Sequence, residues 1–163
     1  MEALQTKKIR LYLDTSVWNF PFADDAPEKQ SITVSFLNNL PQSPYEIYIS
    51  SVVFEEIDVA PQEKRQRLHD LIRFHAPKDI PLSDEIRELA REYIRQGAIP
   101  AAMPEDALHV ACAAVEELDA LISWNMRHIA NLRRQAKVQA VNSLKGYNKP
   151  LLLLTPMEVS EYE

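Results

Sequence analysis

Apolar residues along the chain come in two alternating textures. Ile9 to Leu13 ("IRLYL"), Tyr45 to Ser50 ("YEIYIS") and Ala120 to Ser123 ("ALIS") are short runs with β-branched and aromatic members, and they read as buried strands. Between them lie longer segments whose apolar residues recur three and four apart, the spacing of one helix face. The first spans about Glu28 to Leu40, with Ile32, Val34, Phe36 and Leu37 apolar. "SSVVFEEI" follows the second strand, with Ser50 or Ser51 as cap, and Pro61 opens "PQEKRQRLHDLIRFH". Ser83 caps "SDEIRELAREYIRQG", which has acids in its first turn and Gly97 as its stop. Pro104 opens the most apolar helix, "PEDALHVACAAVEEL", with Ala107, Leu108, Ala111, Ala114, Val115 and Leu118 on its buried side. "WNMRHIANLRR" reads as helix, "KDIPL" as a short strand or loop, "KVQAVN" and "PLLLL" as late strands, and "TPMEVSEY" as a last helical turn. Strands alternating with helices argue for α/β architecture, a parallel sheet flanked by helices.

Composition narrows the class. At 163 residues, with 46% hydrophobic and 26% charged residues, the expectation is one soluble domain over 1–163. No apolar run approaches the roughly 18 residues of a membrane span, and "MEALQTKKIR" lacks the apolar stretch of a secretory signal. The single Cys112, within "HVACAAV", excludes an internal disulfide and fits a buried thiol in a reducing cytoplasm. Two glycines against eleven prolines leave no Gly-rich phosphate loop, which removes P-loop and dinucleotide-binding readings. A net charge of −6 means that any nucleic acid must be held by a local basic patch or by bridging cations.

The strand Ile9 to Leu13 ends on a carboxylate. Asp14, followed by Thr15 and Ser16, is either a helix cap or a ligand. Other acids fall at matching places in the alternation: Glu56 in the helix after the second strand and Asp106 in the first turn of the apolar helix. Asn125 follows the "ALIS" strand by two residues. In an open parallel sheet, groups at the carboxyl ends of strands and at the helix starts beyond them converge on one crevice. Glu55 and Glu56 point about 100° apart on a helix, so only one can face that crevice. Clustered carboxylates repel and require a cation; all-oxygen donors suit Mg²⁺ or Mn²⁺ rather than Zn²⁺.

Four segments, "LDTSVW", "ISSVVFEEI", "PEDALHVACA" and "LISWNMRHI", occur in an order and spacing that resemble the PIN-domain ribonucleases, which include the toxins of VapBC toxin–antitoxin modules. The resemblance implies a three-layer α/β/α fold with a central, mostly parallel sheet. It implies Mg²⁺- or Mn²⁺-dependent endoribonuclease activity on single-stranded RNA, a homodimer and a cognate antitoxin. Asp14, Glu56 and Asp106 match the three principal metal-binding and catalytic acids. Asn125 stands where many members carry a fourth Asp, which lowers the charge of the site and favours one cation over two; its amide still offers an oxygen ligand, so the resemblance makes it a fourth, weaker metal-binding and catalytic residue. Two other readings stay open: a catalytically weakened PIN-fold module that binds RNA or protein, and a haloacid-dehalogenase-like phosphatase. The phosphatase is disfavoured because the position two after Asp14, where such enzymes need an acid, is Ser16.

Around these positions several residues have two readings each. Thr15 and Ser16 either bond Asp14 or a metal-bound water, or cap the next turn. His109, three after Asp106 and so on the same helix face, is a hydrogen-bonded interior residue or a support behind Asp106. Arg87, Arg91 and Arg95 interleave with Glu85, Glu88 and Glu92, the pattern of a salt-bridged exposed helix. Arg127, Arg133, Arg134 and Lys137 have no acid among them and are the expected place for RNA.

Overall fold

The computed structural model describes residues 7–160. Five strands form one all-parallel sheet: β1 (Ile9–Leu13), β2 (Tyr45–Ser50), β3 (Lys78–Ile80), β4 (Ala120–Ile122) and β5 (Leu152–Leu154), in spatial order β3-β2-β1-β4-β5. The helices are α1 (Thr15–Asn19), α2 (Pro27–Asn39), α3 (Ser51–Ile57), α4 (Gln62–His75), α5 (Asp84–Arg95), α6 (Pro104–Val115), α7 (Leu132–Leu144) and α8 (Pro156–Ser160). The two-residue period of a strand divides the core between the two faces. Leu11 and Leu13 enter a cluster with Trp18, Phe36, Leu37, Leu68 and Ile72. Tyr12 faces the other way, into a cluster with Tyr93, Val110, Ala111 and Val138. The result is three layers, α/β/α, and among the described residues no helix is long and apolar enough to cross a membrane.

Chain punctuation acts where expected. Ser83 Oγ caps α5 by accepting from Ile86 N at 3.2 Å. Gly97, at φ +71°, closes it: Gly97 N donates to Ile94 O at 3.1 Å and Ala98 N to Tyr93 O at 2.8 Å. The Arg91–Glu88 and Arg95–Glu92 ion pairs form along α5, but Glu92 is buried rather than solvated.

Three expectations fail. "WNMRHIANLRR" is a run of turns up to Asn131, and only from Leu132 is it helical. Asn131, whose side chain accepts from Arg134 N, caps the helix there. "KVQAVN" belongs to that same helix, α7, not to a strand: Val138 and Val141, three apart, share the buried face. Gln135 and Gln139 of α7 accept from Leu153 N and Leu151 N, at 2.9 and 3.2 Å, which covers the outer edge of β5. Val34 of α2 is exposed, and Thr33 is buried in its place, accepting a 2.8 Å bond from Trp124 Nε1.

Candidate active site at the carboxyl edge of the sheet

The chain runs from β1 outward through β2 to β3, then returns to place β4 on the other side of β1. The carboxyl ends of β1 and β4 therefore flank the switch point where open α/β sheets form their crevice. Asp14 leaves β1 there, 4% exposed. It is also the cap of α1: Oδ1 accepts from Ser16 N at 3.0 Å and from Ser16 Oγ at 2.5 Å. Ser123, just beyond β4, donates to Asp14 Oδ2 at 2.5 Å. Burial pushes the Asp14 carboxyl up, aided by the charge of Glu56, while His109 and the two serines pull the other way.

On α3, Glu56 is half-buried and Glu55 is exposed. Glu56 Oε1 accepts from Thr15 Oγ1 at 2.8 Å and lies 2.5 Å from His109 Nε2. Burial raises its carboxyl, but the bonds from His109 and Thr15 outweigh that and hold it below the usual range. Asp106 sits in the first turn of α6 and accepts from Asn125 Nδ2 at 3.1 Å. Its carboxyl is pushed up to about 6, first by burial and then by the charges of Asp14, Glu56 and Glu105, against the pull of His109.

Asn125 is turned by its neighbours. Its Oδ1 accepts from His128 N at 2.9 Å, and a backbone N–H can only donate, so the amide nitrogen, not the oxygen expected as a metal ligand, is the end that meets Asp106. Trp124 anchors this segment: its N donates to Ser16 Oγ at 2.9 Å, and its ring stands 5.7 Å from that of Phe20, with Lys29 Nζ over both rings. His109 is the hydrogen-bonded interior residue of the two readings, 1% exposed, and its partner is Glu56 rather than Asp106. Nothing in the strand pattern pointed to Ser123 or Tyr12; a hydroxyl ending a buried strand beside the Asp14 strand is the signal that could have.

No Lys or Arg forms an ion pair with Asp14, Glu56 or Asp106 among the described residues; His109 alone does. The site thus collects acid oxygens with no Lys or Arg to balance them and only the His109 imidazole against Glu56, donor chemistry that suits a hard divalent ion. Among the described residues no group of three His, Cys, Asp or Glu is gathered as a ready metal cage. Of the basic patch, Arg127, Arg133 and Lys137 are exposed, while Arg134 is spent on the carbonyl of Ala98.

The sequence matches the PIN domain family over residues 11–133, three quarters of the chain. The chain belongs to the PIN domain family. This PIN domain shares its fold with a solved structure described as VapBC2 from Rickettsia felis bound to a DNA fragment from their promoter. The TM-score is 0.51 at 20% identity, over 73% of this chain and 90% of that one. A search of curated proteins gave no match. PIN domains are generally nucleases that use divalent metal ions. The PIN match contains all four segments that carried the resemblance, from Asp14 through Asn125.

Proposed function

We propose that this PIN domain is a Mg²⁺- or Mn²⁺-dependent endoribonuclease of the toxin type. It cleaves single-stranded RNA in the cytoplasm, as a homodimer paired with a cognate antitoxin. The observation that supports the reading is that the charges of Asp14 and Glu56 act on the Asp106 carboxyl beside the switch point of a PIN fold, with no Lys or Arg paired to any of the three among the described residues. Asp14, Glu56 and Asp106 would hold the cation. When bound, it lowers the pKa of a water and stabilises the leaving oxygen of the phosphodiester.

The chain's own residues do the rest. Ser16 and Ser123 fix both oxygens of Asp14, so that carboxylate is oriented before any ligand arrives. Asn125 serves Asp106 as a neutral donor, which removes the repulsion that a fourth acid would add and favours one cation. Arg127, Arg133 and Lys137 supply phosphate contacts against the overall charge of −6.

The same Asn125 geometry favours a second reading, a catalytically weakened module that binds RNA or a protein partner. One assay separates the two: single-stranded RNA with Mn²⁺, comparing wild type, Asp106→Asn and Asn125→Asp. Cleavage by wild type, loss in Asp106→Asn with RNA affinity kept, and a gain in Asn125→Asp are expected. Cleavage by Asn125→Asp alone would make the native chain the weakened module. Equal rates in all three would refute the site.

A further inference from the structure

The use of Glu56 depends on which of its oxygens stays available. Both hydrogen bonds it receives end on Oε1, from Thr15 at 2.8 Å and from His109 at 2.5 Å. Oε2 has no hydrogen-bond partner among the described residues. A carboxylate held on one oxygen and open on the other is oriented for a single ligand contact.

His109 is itself held in place. It is 1% exposed on α6, its Nδ1 lies 2.6 Å from Tyr12 Oη, and Tyr12 Oη lies 2.7 Å from Ser50 Oγ. An ionised carboxylate only accepts, so Nε2 is the end that donates to Glu56, and a ring flip would break both ends of the chain together. Ser50 also caps α3, accepting from Val52 N at 3.3 Å. The helix that carries Glu56 and the imidazole that grips it are therefore anchored on one serine. Without that grip, a half-buried Glu on a seven-residue helix would be free to turn to solvent.

We propose that His109 is the positioning residue of the acidic site. Through the Ser50–Tyr12–His109 chain, and together with Thr15, it clamps Glu56 Oε1 and leaves Oε2 as the oxygen available to a divalent cation. The inference rests on the metal-dependent reading above for its purpose, but the clamp can be observed without any metal. Partners that orient a metal ligand typically cost about 10- to 100-fold in metal affinity when removed.

The test pairs Mn²⁺ affinity, read as free Mn²⁺ by electron paramagnetic resonance, with the imidazole N–H proton signal of the metal-free protein. His109→Leu removes the donor and is expected to weaken Mn²⁺ binding about tenfold or more. His109→Gln, whose amide can donate, is expected to recover most of the loss. Thr15→Val, nearly isosteric, is expected to weaken binding in the same direction and keeps the test open if His109→Leu does not fold. In the metal-free wild type, the His109 N–H signal is expected far downfield, shifting in Glu56→Gln and in Tyr12→Phe. Wild-type Mn²⁺ affinity in His109→Leu and Thr15→Val would overturn the clamp and leave the metal reading standing. His109→Gln as weak as His109→Leu would reduce His109 to packing and overturn it too. A responsive N–H signal in a wild type that binds no Mn²⁺ would keep the clamp and sink the metal reading.

Discussion

Replacing Asp106 by Asn is expected to stabilise the metal-free protein at pH 8 and to leave it nearly unchanged at pH 4. The Asp106 carboxyl is held up at about 6 against an ordinary 3.8, so the folded chain binds this proton more tightly than the unfolded one. Its contribution to stability is complete below 3.8 and is lost as pH rises through about 6. Ionised at pH 8, the group penalises folding by up to about 3 kcal/mol. Solvent screening at a carboxylate that is only part-buried brings this nearer to about 2 kcal/mol. Asn keeps the shape of the side chain, still accepts from Asn125 and carries no charge. For a chain of 163 residues the gain corresponds to roughly 4–8 °C in melting temperature. Thermal melts by circular dichroism in EDTA, at pH 4 and pH 8, provide the measurement. Asp14 is also held up by burial, so some slope of the same sign remains in the variant. Glu56 runs the other way: its carboxyl is held down, and its contribution is lost as pH falls. Parallel pH profiles for wild type and Asp106→Asn, or a variant less stable at pH 8, would refute the electrostatic account of the crevice.

Millimolar Mn²⁺ is expected to raise the melting temperature of wild type and to raise that of Asp106→Asn far less, by linkage of metal binding to folding; equal shifts would place the ion elsewhere. Ile122→Ala, at a fully buried position of β4 between the helical layers, is expected to cost about 2–5 kcal/mol in urea denaturation with no change in m-value. Light scattering is expected to return about twice the 18.7 kDa of one chain, and 18.7 kDa at high concentration would remove the dimer.

Strands β1, β2, β4 and β5 were legible because they are short, apolar and bounded by Pro, Ser or acidic residues, whereas β3, with Lys78 and Asp79 exposed, read equally as strand or loop; the all-parallel order follows from helices lying between them. Helix ends were legible where a side chain dictates them, at Ser83, Gly97 and Pro104. The Ser123 to Asn131 segment was not, because its turns are set by contacts distant in sequence. Trp124 reaches Thr33 and Phe20, and Asn125 bonds Asp106. "KVQAVN" misled because β-branched content suggested a strand, although the three-residue spacing of Val138 and Val141 is helical. Of the site, the acids could be picked from their place at strand ends and helix starts. Their partners could not: His109 reaches Glu56 across 53 residues, and Ser123 reaches Asp14 across 109. Nor could the turn of the Asn125 amide, which depends on where the His128 N–H points.

The central claim, a divalent-ion nuclease built on Asp14, Glu56 and Asp106, is tested most directly by one cleavage measurement. Wild type and Asp14→Asn, purified side by side, are given a fluorescent single-stranded RNA and its duplex in Mn²⁺ and in EDTA. Cleavage of the single strand by wild type in Mn²⁺ alone, with none by Asp14→Asn, is the predicted result. Cleavage that survives EDTA, or that Asp14→Asn performs at the wild-type rate, would contradict it.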